Sequence, residues 1–263
     1  MFRKIVFMGT SYFAISILKS LYQNGYPISV VYTQPPKKSN RGQKLNKSPI
    51  NLFSENISLN VRTPKVLKNN NEEELYLSEL KPDLVIVVSY GQIIPQNLLK
   101  IPKNGFLNVH ASLLPKWRGA APMERAILSQ DKKIGFSIMK IVSELDAGPY
   151  MKQTSFTLNK EMNLGELNKK ISSEGAKALV ESLDRISTNN FKFIDQDNSK
   201  ATYAKKIQKK ETQINWNNKA EIIIAQVNAF NPNPGAWFIF NNNRIKILKA
   251  IEVEKKRCSR RCN

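Results

Sequence analysis

The stretch Leu84-Val85-Ile86-Val87-Val88-Ser89 holds five consecutive apolar residues, four of them β-branched, before its first polar side chain. A strand with no polar alternation must be covered on both faces, the situation of a strand inside a parallel α/β sheet. Strands and helices alternate outward from it in both directions. Lys4–Met8 reads as a strand. Phe13, Ile17 and Leu21 then recur at helical spacing within Ser11–Asn24, and Gly25 stands at the stop position. Ile28–Tyr32 is a second strand, Ser58–Val61 a weaker one, and Glu72–Leu80 a helix. Beyond the opening stretch, Phe106–His110 and Gly135–Val142 read as strands, with Tyr150–Phe156 beside the latter. Asn163–Ile186 is a long amphipathic helix whose Asn163 and Glu166 have the spacing of a capping box. The expected class is α/β with a mostly parallel sheet.

The composition then changes. Asn189–Thr202 is polar and reads as a linker. Ile222–Val227 follows as a helix, with strands at Trp237–Phe240 and Ile245–Leu248, too little material for a closed barrel or a complete sheet. The expected organisation is a first domain over 1–189, a linker over 190–209 and an incomplete second domain over 210–263.

The 263 residues carry 41 Lys+Arg against 21 Asp+Glu, a formal net charge of +20. Much of it is local. Lys37, Lys38, Arg41, Lys44 and Lys47 share a polar loop, Gln34–Ser48, that contains no acid, and residues 199–263 hold fourteen basic against four acidic residues. Such blocks fit a polyanionic partner or a solvated lysine face. Both cysteines, Cys258 and Cys262, fall in the last six residues, which excludes a disulfide scaffold and points to a reducing compartment. Their spacing without a second ligand pair argues against zinc, and a single histidine excludes a polyhistidine metal site. Arg3 and Lys4 precede an apolar run that Gly9-Thr-Ser11 interrupts, so a signal peptide is not expected. No window approaches the roughly 18 apolar residues of a membrane span. A cytoplasmic protein is expected.

Any histidine chemistry runs through His110. Asn108 and His110 lie two apart on a strand and project to one face, at the carboxyl end where open α/β sheets keep their ligand crevice. An amide beside an imidazole suits acyl chemistry: the amide stabilises a developing oxyanion while the ring handles protons or charge. A histidine that merely caps the sheet is the competing reading. Ser112-Leu-Leu-Pro115 and Trp117-Arg-Gly-Ala-Ala-Pro122 form a Gly- and Pro-punctuated loop behind it, a usual place for functional groups. Asp146, within Glu144-Leu-Asp-Ala-Gly148, could sit beside His110 and orient the ring, with Glu144 as a rival acid.

Asn108-Val-His110-Ala-Ser112-Leu-Leu-Pro115 followed by Asp146-Ala-Gly148 resembles the 10-formyltetrahydrofolate-dependent formyltransferases. Gly9–Phe13, Thr33-Gln-Pro35 with Arg41-Gly42 and Lys44-Leu45, Ser89–Pro95, and Thr202–Ile207 through Ile214–Trp216 narrow the resemblance to the branch that formylates initiator methionyl-tRNA. The similarity is colinear from about Lys4 to Glu252. It implies a Rossmann-like catalytic domain, a C-terminal β-barrel of the oligonucleotide-binding type, a monomer, and no metal. It implies Asn108, His110 and Asp146 as the catalytic trio. The folate would lie against Ser89, Tyr90, Gly91, Ile94, Pro95 and Val142, with Ser112, Leu113, Leu114 and Pro115 shaping the pocket; ordinary core packing competes for the apolar members. Arg41, with Lys37, Lys38, Lys44 and Lys47, would meet the tRNA acceptor stem. Lys205, Lys206, Lys209 and Lys210 would extend that surface, against the competing reading of an exposed charged helix.

The sequence departs from the family at Ser11, Ala111, Glu144 and Asn215, and most at its end. Glu254-Lys-Lys-Arg-Cys-Ser-Arg-Arg-Cys-Asn263 fits nothing in the pattern, and a truncated or frameshifted reading frame is expected. Two other readings share the trio or the charge. One is a sugar or glycinamide-ribonucleotide N-formyltransferase, against which the basic loop argues; the other is an inactive tRNA-binding remnant.

Overall fold

The computed structural model describes residues 2–39 and 44–253. The chain opens with β1 (Ile5–Gly9), α1 (Tyr12–Gln23), β2 (Ile28–Tyr32), the short strands β3 (Lys37–Ser39) and β4 (Lys44–Asn46), α2 (Pro49–Asn56), β5 (Val61–Arg62) and α3 (Asn71–Leu80). It continues through β6 (Leu84–Val88), α4 (Gln96–Leu99), β7 (Phe106–His110), the two-residue β8 (Arg118–Gly119), α5 (Pro122–Leu128), β9 (Lys133–Lys140), β10 (Tyr150–Thr157) and α6 (Leu164–Ser187). Last come β11 (Tyr203–Ala204), a 3-10 turn over Lys209–Thr212, α7 (Ala220–Phe230), β12 (Ala236–Phe240) and β13 (Asn243–Ile247).

Seven strands form the central sheet in the order β10-β9-β7-β6-β1-β2-β5. The five from β5 to β7 run parallel, β9 is antiparallel to β7, and β10 is antiparallel to β9. Side-chain alternation divides β7 between two cores. Leu107 and Val109 join the larger core with α1, α5, α6 and α7, whereas Phe106 joins a smaller one with α3 and α4. Asn108 and His110 are on the smaller core's side, beyond the reach of its helices.

Helix α6 braces β7 from behind. Leu167, Ile171, Leu179 and Leu183 are fully buried, each stabilising by about 1.5–3 kcal/mol relative to exposure. The close approach needs Gly175, where an added Cβ would stand 3.0 Å from Val109 Cγ1. The capping box forms as its spacing predicts: Glu166 N donates to Asn163 Oδ1 and Asn163 N to Glu166 Oε2, both at 3.0 Å. The larger core also takes in Ile214, Val227, Ala229, Phe230 and Ala236, so α7 packs on the same apolar mass as α6.

Three expectations need correction. The segment Gln34–Ser48 is not a plain loop, since β3 and β4 pair antiparallel through it, giving its backbone partners that a loop leaves to water. The weak strand at Ser58–Val61 begins later, at Val61, because Ser58 takes φ +57, which an extended strand cannot accommodate. The strand expected at Gly135–Val142 runs from Lys133 to Lys140, its first residues drawn in by pairing with Thr157 and Phe156. Arg41 and the tail 254–263, with Cys258 and Cys262, lie outside the described residues. Among those described, no helix is long and apolar enough to cross a membrane.

Candidate active site

The carboxyl ends of β1, β2 and β6 are tied together at the rim of the sheet. Thr10 Oγ1 donates to Tyr90 O at 2.8 Å, and Gln34 Nε2 to the same carbonyl at 3.4 Å. The β6–β7 register carries this rim to His110, since Val87 pairs with Asn108. On the other side His110 lies opposite Ser137 of β9. Ser137 Oγ donates to Ser112 O at 2.7 Å and accepts from Leu114 N at 3.1 Å, while Gln153 Nε2 donates to Leu114 O at 2.8 Å. These bonds pin the chain that leaves β7 onto β9 and β10.

His110 is buried, and its Nε2 lies 2.9 Å from the Trp117 carbonyl. A carbonyl can only accept, so Nε2 carries the proton and Nδ1 is the unprotonated nitrogen of the neutral ring. Trp117 is fixed in turn: its N–H donates to Thr202 Oγ1 at 2.9 Å and its indole Nε1 to Asp131 Oδ2 at 2.8 Å.

Lys140 at the end of β9 lies opposite Leu107, three residues short of His110, so the chain after it doubles back along the sheet face. This brings Asp146 Oδ2 to 3.8 Å from His110 Nδ1. That is ion-pair distance but beyond a hydrogen bond. Asp146 thus stands beside His110 as expected, while the hydrogen bond that fixes the ring goes to the Trp117 carbonyl. Asp146 Oδ2 instead accepts from Gly119 N at 2.7 Å. Its Oδ1 and the half-buried Asn108 amide make no hydrogen bond among the described residues and remain available to a ligand. Glu144, the rival acid, is exposed and accepts from Ser143 Oγ at 3.0 Å. Ser89, Trp117 and Asp146 take φ of +49, +61 and +48. Such conformations cost on the order of 1–3 kcal/mol each and cluster where surrounding contacts hold functional groups in place.

The remaining expected residues divide. Tyr90 and Ile94 are buried in the smaller core and Leu114 in the wall beside β9, so their side chains serve packing. Burial pushes the Tyr90 hydroxyl well above the usual phenol range. Ser89 and Gly91 are exposed; Pro95, Leu113, Pro115 and Val142 are half-buried. Ser112 Oγ donates to Lys116 O at 2.6 Å. In the basic segment Lys37, Lys38 and Lys44 are exposed, while Lys47 is paired with Glu55 at 2.6 Å. Lys205, Lys206, Lys209 and Lys210 are exposed; the last two sit in the 3-10 turn, not in an α-helix.

A cavity of about 620 Å³ is lined by Ala120, Ala121 and Glu124 with Lys206, Lys209, Arg244 and Lys246. Arg244 and Lys246 were not among the expected residues. The signal was present in Asn243-Arg-Ile-Lys-Ile247, which puts two cations on one strand face. Burial raises the Glu124 carboxyl above its ordinary range. Among the described residues no three His, Cys, Asp or Glu side chains converge to hold a metal ion.

Residues 3–183 match the family model described as formyl transferase, and residues 206–261 the one described as formyl transferase, C-terminal domain. A methionyl-tRNA formyltransferase of Pelagibacter ubique is 51% identical over 250 residues, spanning 95% of this chain and 81% of the relative. One from Coxiella burnetii is 40% identical over 253 residues, 96% of this chain and 80% of that one. The N-formyltransferase of Helicobacter canadensis, solved with folinic acid and dTDP-3-aminofucose, superposes with a TM-score of 0.72. It is 21% identical and spans 95% of this chain and 87% of its own.

Proposed function

Because the chain belongs to the formyl transferase family, we propose that it moves the formyl group of 10-formyltetrahydrofolate onto the α-amino group of methionyl-initiator-tRNA. The observation that carries this reading is the 51% identity to a methionyl-tRNA formyltransferase across nearly the whole chain. The solved sugar-modifying relative speaks for the fold alone at 21% identity.

The site geometry supplies the chemistry. The amine nitrogen attacks the formyl carbon, a carbon–nitrogen bond forms, and the formyl oxygen takes up negative charge. Asn108 donates its amide to that oxygen, and His110 beside it helps stabilise the developing charge. Asp146 Oδ1, free of donors among the described residues, accepts the amine proton and passes it to the folate nitrogen as that nitrogen's bond to carbon breaks. The Gly119 bond to Oδ2 holds the carboxylate in place for this step. The folate lies against the exposed Ser89 and Gly91 and the half-buried Pro95, Leu113, Pro115 and Val142, which offer apolar contact beside main-chain polar groups.

Lys37, Lys38, Lys44 and Arg41 take phosphates of the acceptor stem, as do Lys205, Lys206, Lys209 and Lys210, joined by Arg244 and Lys246 on the cavity wall. The ion pair with Glu55 lowers the weight of Lys47. Residues 1–189 act as the catalytic domain, 190–209 as the linker and 210–263 as part of a barrel-type domain, in a monomer working in the cytoplasm without a metal.

Incubating the purified chain with 10-formyltetrahydrofolate and methionyl-tRNA should yield N-formylmethionyl-tRNA. His110→Ala should lower kcat by about 10²–10⁴-fold with tRNA affinity kept. Tight tRNA binding without any turnover would overturn the enzyme reading in favour of a binding remnant. A fully active His110→Ala would remove the ring from the mechanism.

A further inference from the structure

We propose that Gln196 is a positioning residue for Asp146, set in place by the buried Arg118; this rests on the reading of Asp146 as proton acceptor. Gln196 lies in the segment after α6, 50 residues from Asp146, and is buried. Its Nε2 donates to Asp146 O at 2.8 Å and to Gly148 O at 2.7 Å. Its Oε1 accepts from Arg118 Nε at 3.0 Å and Arg118 Nη2 at 2.7 Å. Both amide hydrogens and both oxygen lone pairs are thereby used. The orientation of the amide follows from chemistry: carbonyls cannot donate and a guanidinium cannot accept, so a flipped amide would lose all four bonds.

Arg118 is itself buried, and its remaining bond, Nη2 to Asn198 Oδ1 at 2.7 Å, goes to another neutral amide. No carboxylate is among its hydrogen-bond partners in the described residues. The next residue is Gly119, whose N–H holds Asp146 Oδ2. The contacts close a ring from the Asp146 carboxylate through Gly119, Arg118 and Gln196 to the Asp146 carbonyl. Asp146 is gripped at both ends, which is what a residue at φ +48 requires in order to stay there. Oδ1 makes no hydrogen bond among the described residues. A proton transfer depends on where that oxygen stands, and a misplacement of about 1 Å costs on the order of 10²-fold in rate.

A residue that only tied the segment to the domain would affect stability without touching turnover. Gln196→Glu separates the two roles. It keeps the shape and pairs with Arg118, but turns the group facing Asp146 and Gly148 from donor to acceptor. Gln196→Met removes both sets of bonds. In the formylation assay both variants should lose about 10²-fold in kcat with KM for folate and tRNA within about twofold. In hydrogen exchange, the Gln196→Glu amides of residues 144–148 should lose protection while those of β7 keep theirs. Wild-type kcat in Gln196→Glu, or a loss carried by KM alone, overturns the inference while leaving the functional reading intact. Absence of transfer by the unaltered chain overturns the functional reading and this inference with it.

Discussion

Gly148→Ala is a sharp test of the loop that carries Asp146. An added Cβ would lie 1.9 Å from the Lys140 carbonyl oxygen and 3.3 Å from Val142 Cγ1. Ordinary contact begins near 3.4 Å, so the two backbone segments must part by about 1.5 Å. They are joined there by the Lys140 N–H bond to Pro149 O at 2.8 Å, which cannot survive that separation. Losing that bond costs about 1 kcal/mol and overpacking a further 1–3 kcal/mol or so, for a total near 2–4 kcal/mol. The Gly148 carbonyl moves as well, and with it Asp146 two residues away, so kcat should fall on the order of 10²-fold. Urea denaturation gives the first quantity and steady-state formylation the second. Gly25→Ala is the control for backbone strain without crowding: φ is +73 there and nothing lies within 4 Å, so it should cost only about 1 kcal/mol and leave kcat alone. Should Gly148→Ala match the unaltered chain in both measurements, the loop does not pack this closely against β9.

Glu73 accepts from Tyr32 Oη at 2.7 Å and from Arg62 Nε and Nη2 at 2.8 and 2.9 Å, and it is buried. Glu73→Ala leaves the buried Tyr32 phenol without its partner and Arg62 with Glu72 alone, at 2.7 Å from Nη2, and should cost about 2–3 kcal/mol by denaturation midpoint; a cost below about 1 kcal/mol would mean water replaces the carboxylate. The Arg125 guanidinium hydrogen-bonded to Glu211 holds that carboxyl below its usual 4.5. A depressed folded-state value gives stability that is present above pH 4.5 and lost as pH falls through the lowered value. Arg125→Met should therefore flatten part of the stability loss as the pH falls below 4.5, and identical acid profiles for the two proteins would refute the coupling.

The parts legible in the sequence are those where one residue type implies one environment. Leu84–Val88 had to be a covered strand, the spacing of Leu167, Ile171, Leu179 and Leu183 had to be one face of a helix, and Asn163 with Glu166 had to cap it. Asn108, His110 and Asp146 could be singled out because an amide, an imidazole and a carboxylate are the side-chain types that acyl transfer calls for. The groups that hold them could not. The Trp117 carbonyl and the Gly119 N–H belong to the backbone, and every residue has one. Gln196 and Arg118 are 78 positions apart, and neither local propensity nor periodicity links residues at that distance. The β3–β4 ladder has no sequence signal because lysine and asparagine are poor strand formers, so pairing alone makes those residues extended.

The short ladder between Arg118–Gly119 and Tyr203–Ala204 bears on how the molecule is made. Thr202 supplies both the hydroxyl that receives Trp117 N and the carbonyl that receives Arg118 N, and Ala204 O takes the Ala120 N–H. Strands β1 to β7 can find one another while the ribosome is still far upstream of residue 202. The loop that presents the Trp117 carbonyl to His110 and the Gly119 amide to Asp146 lacks its partner strand β11 until that residue has emerged. Contacts of such long sequence separation form late because they close large loops. The order of events during synthesis is then a finished sheet first and a competent site afterwards, with the nascent chain catalytically silent through most of its own translation.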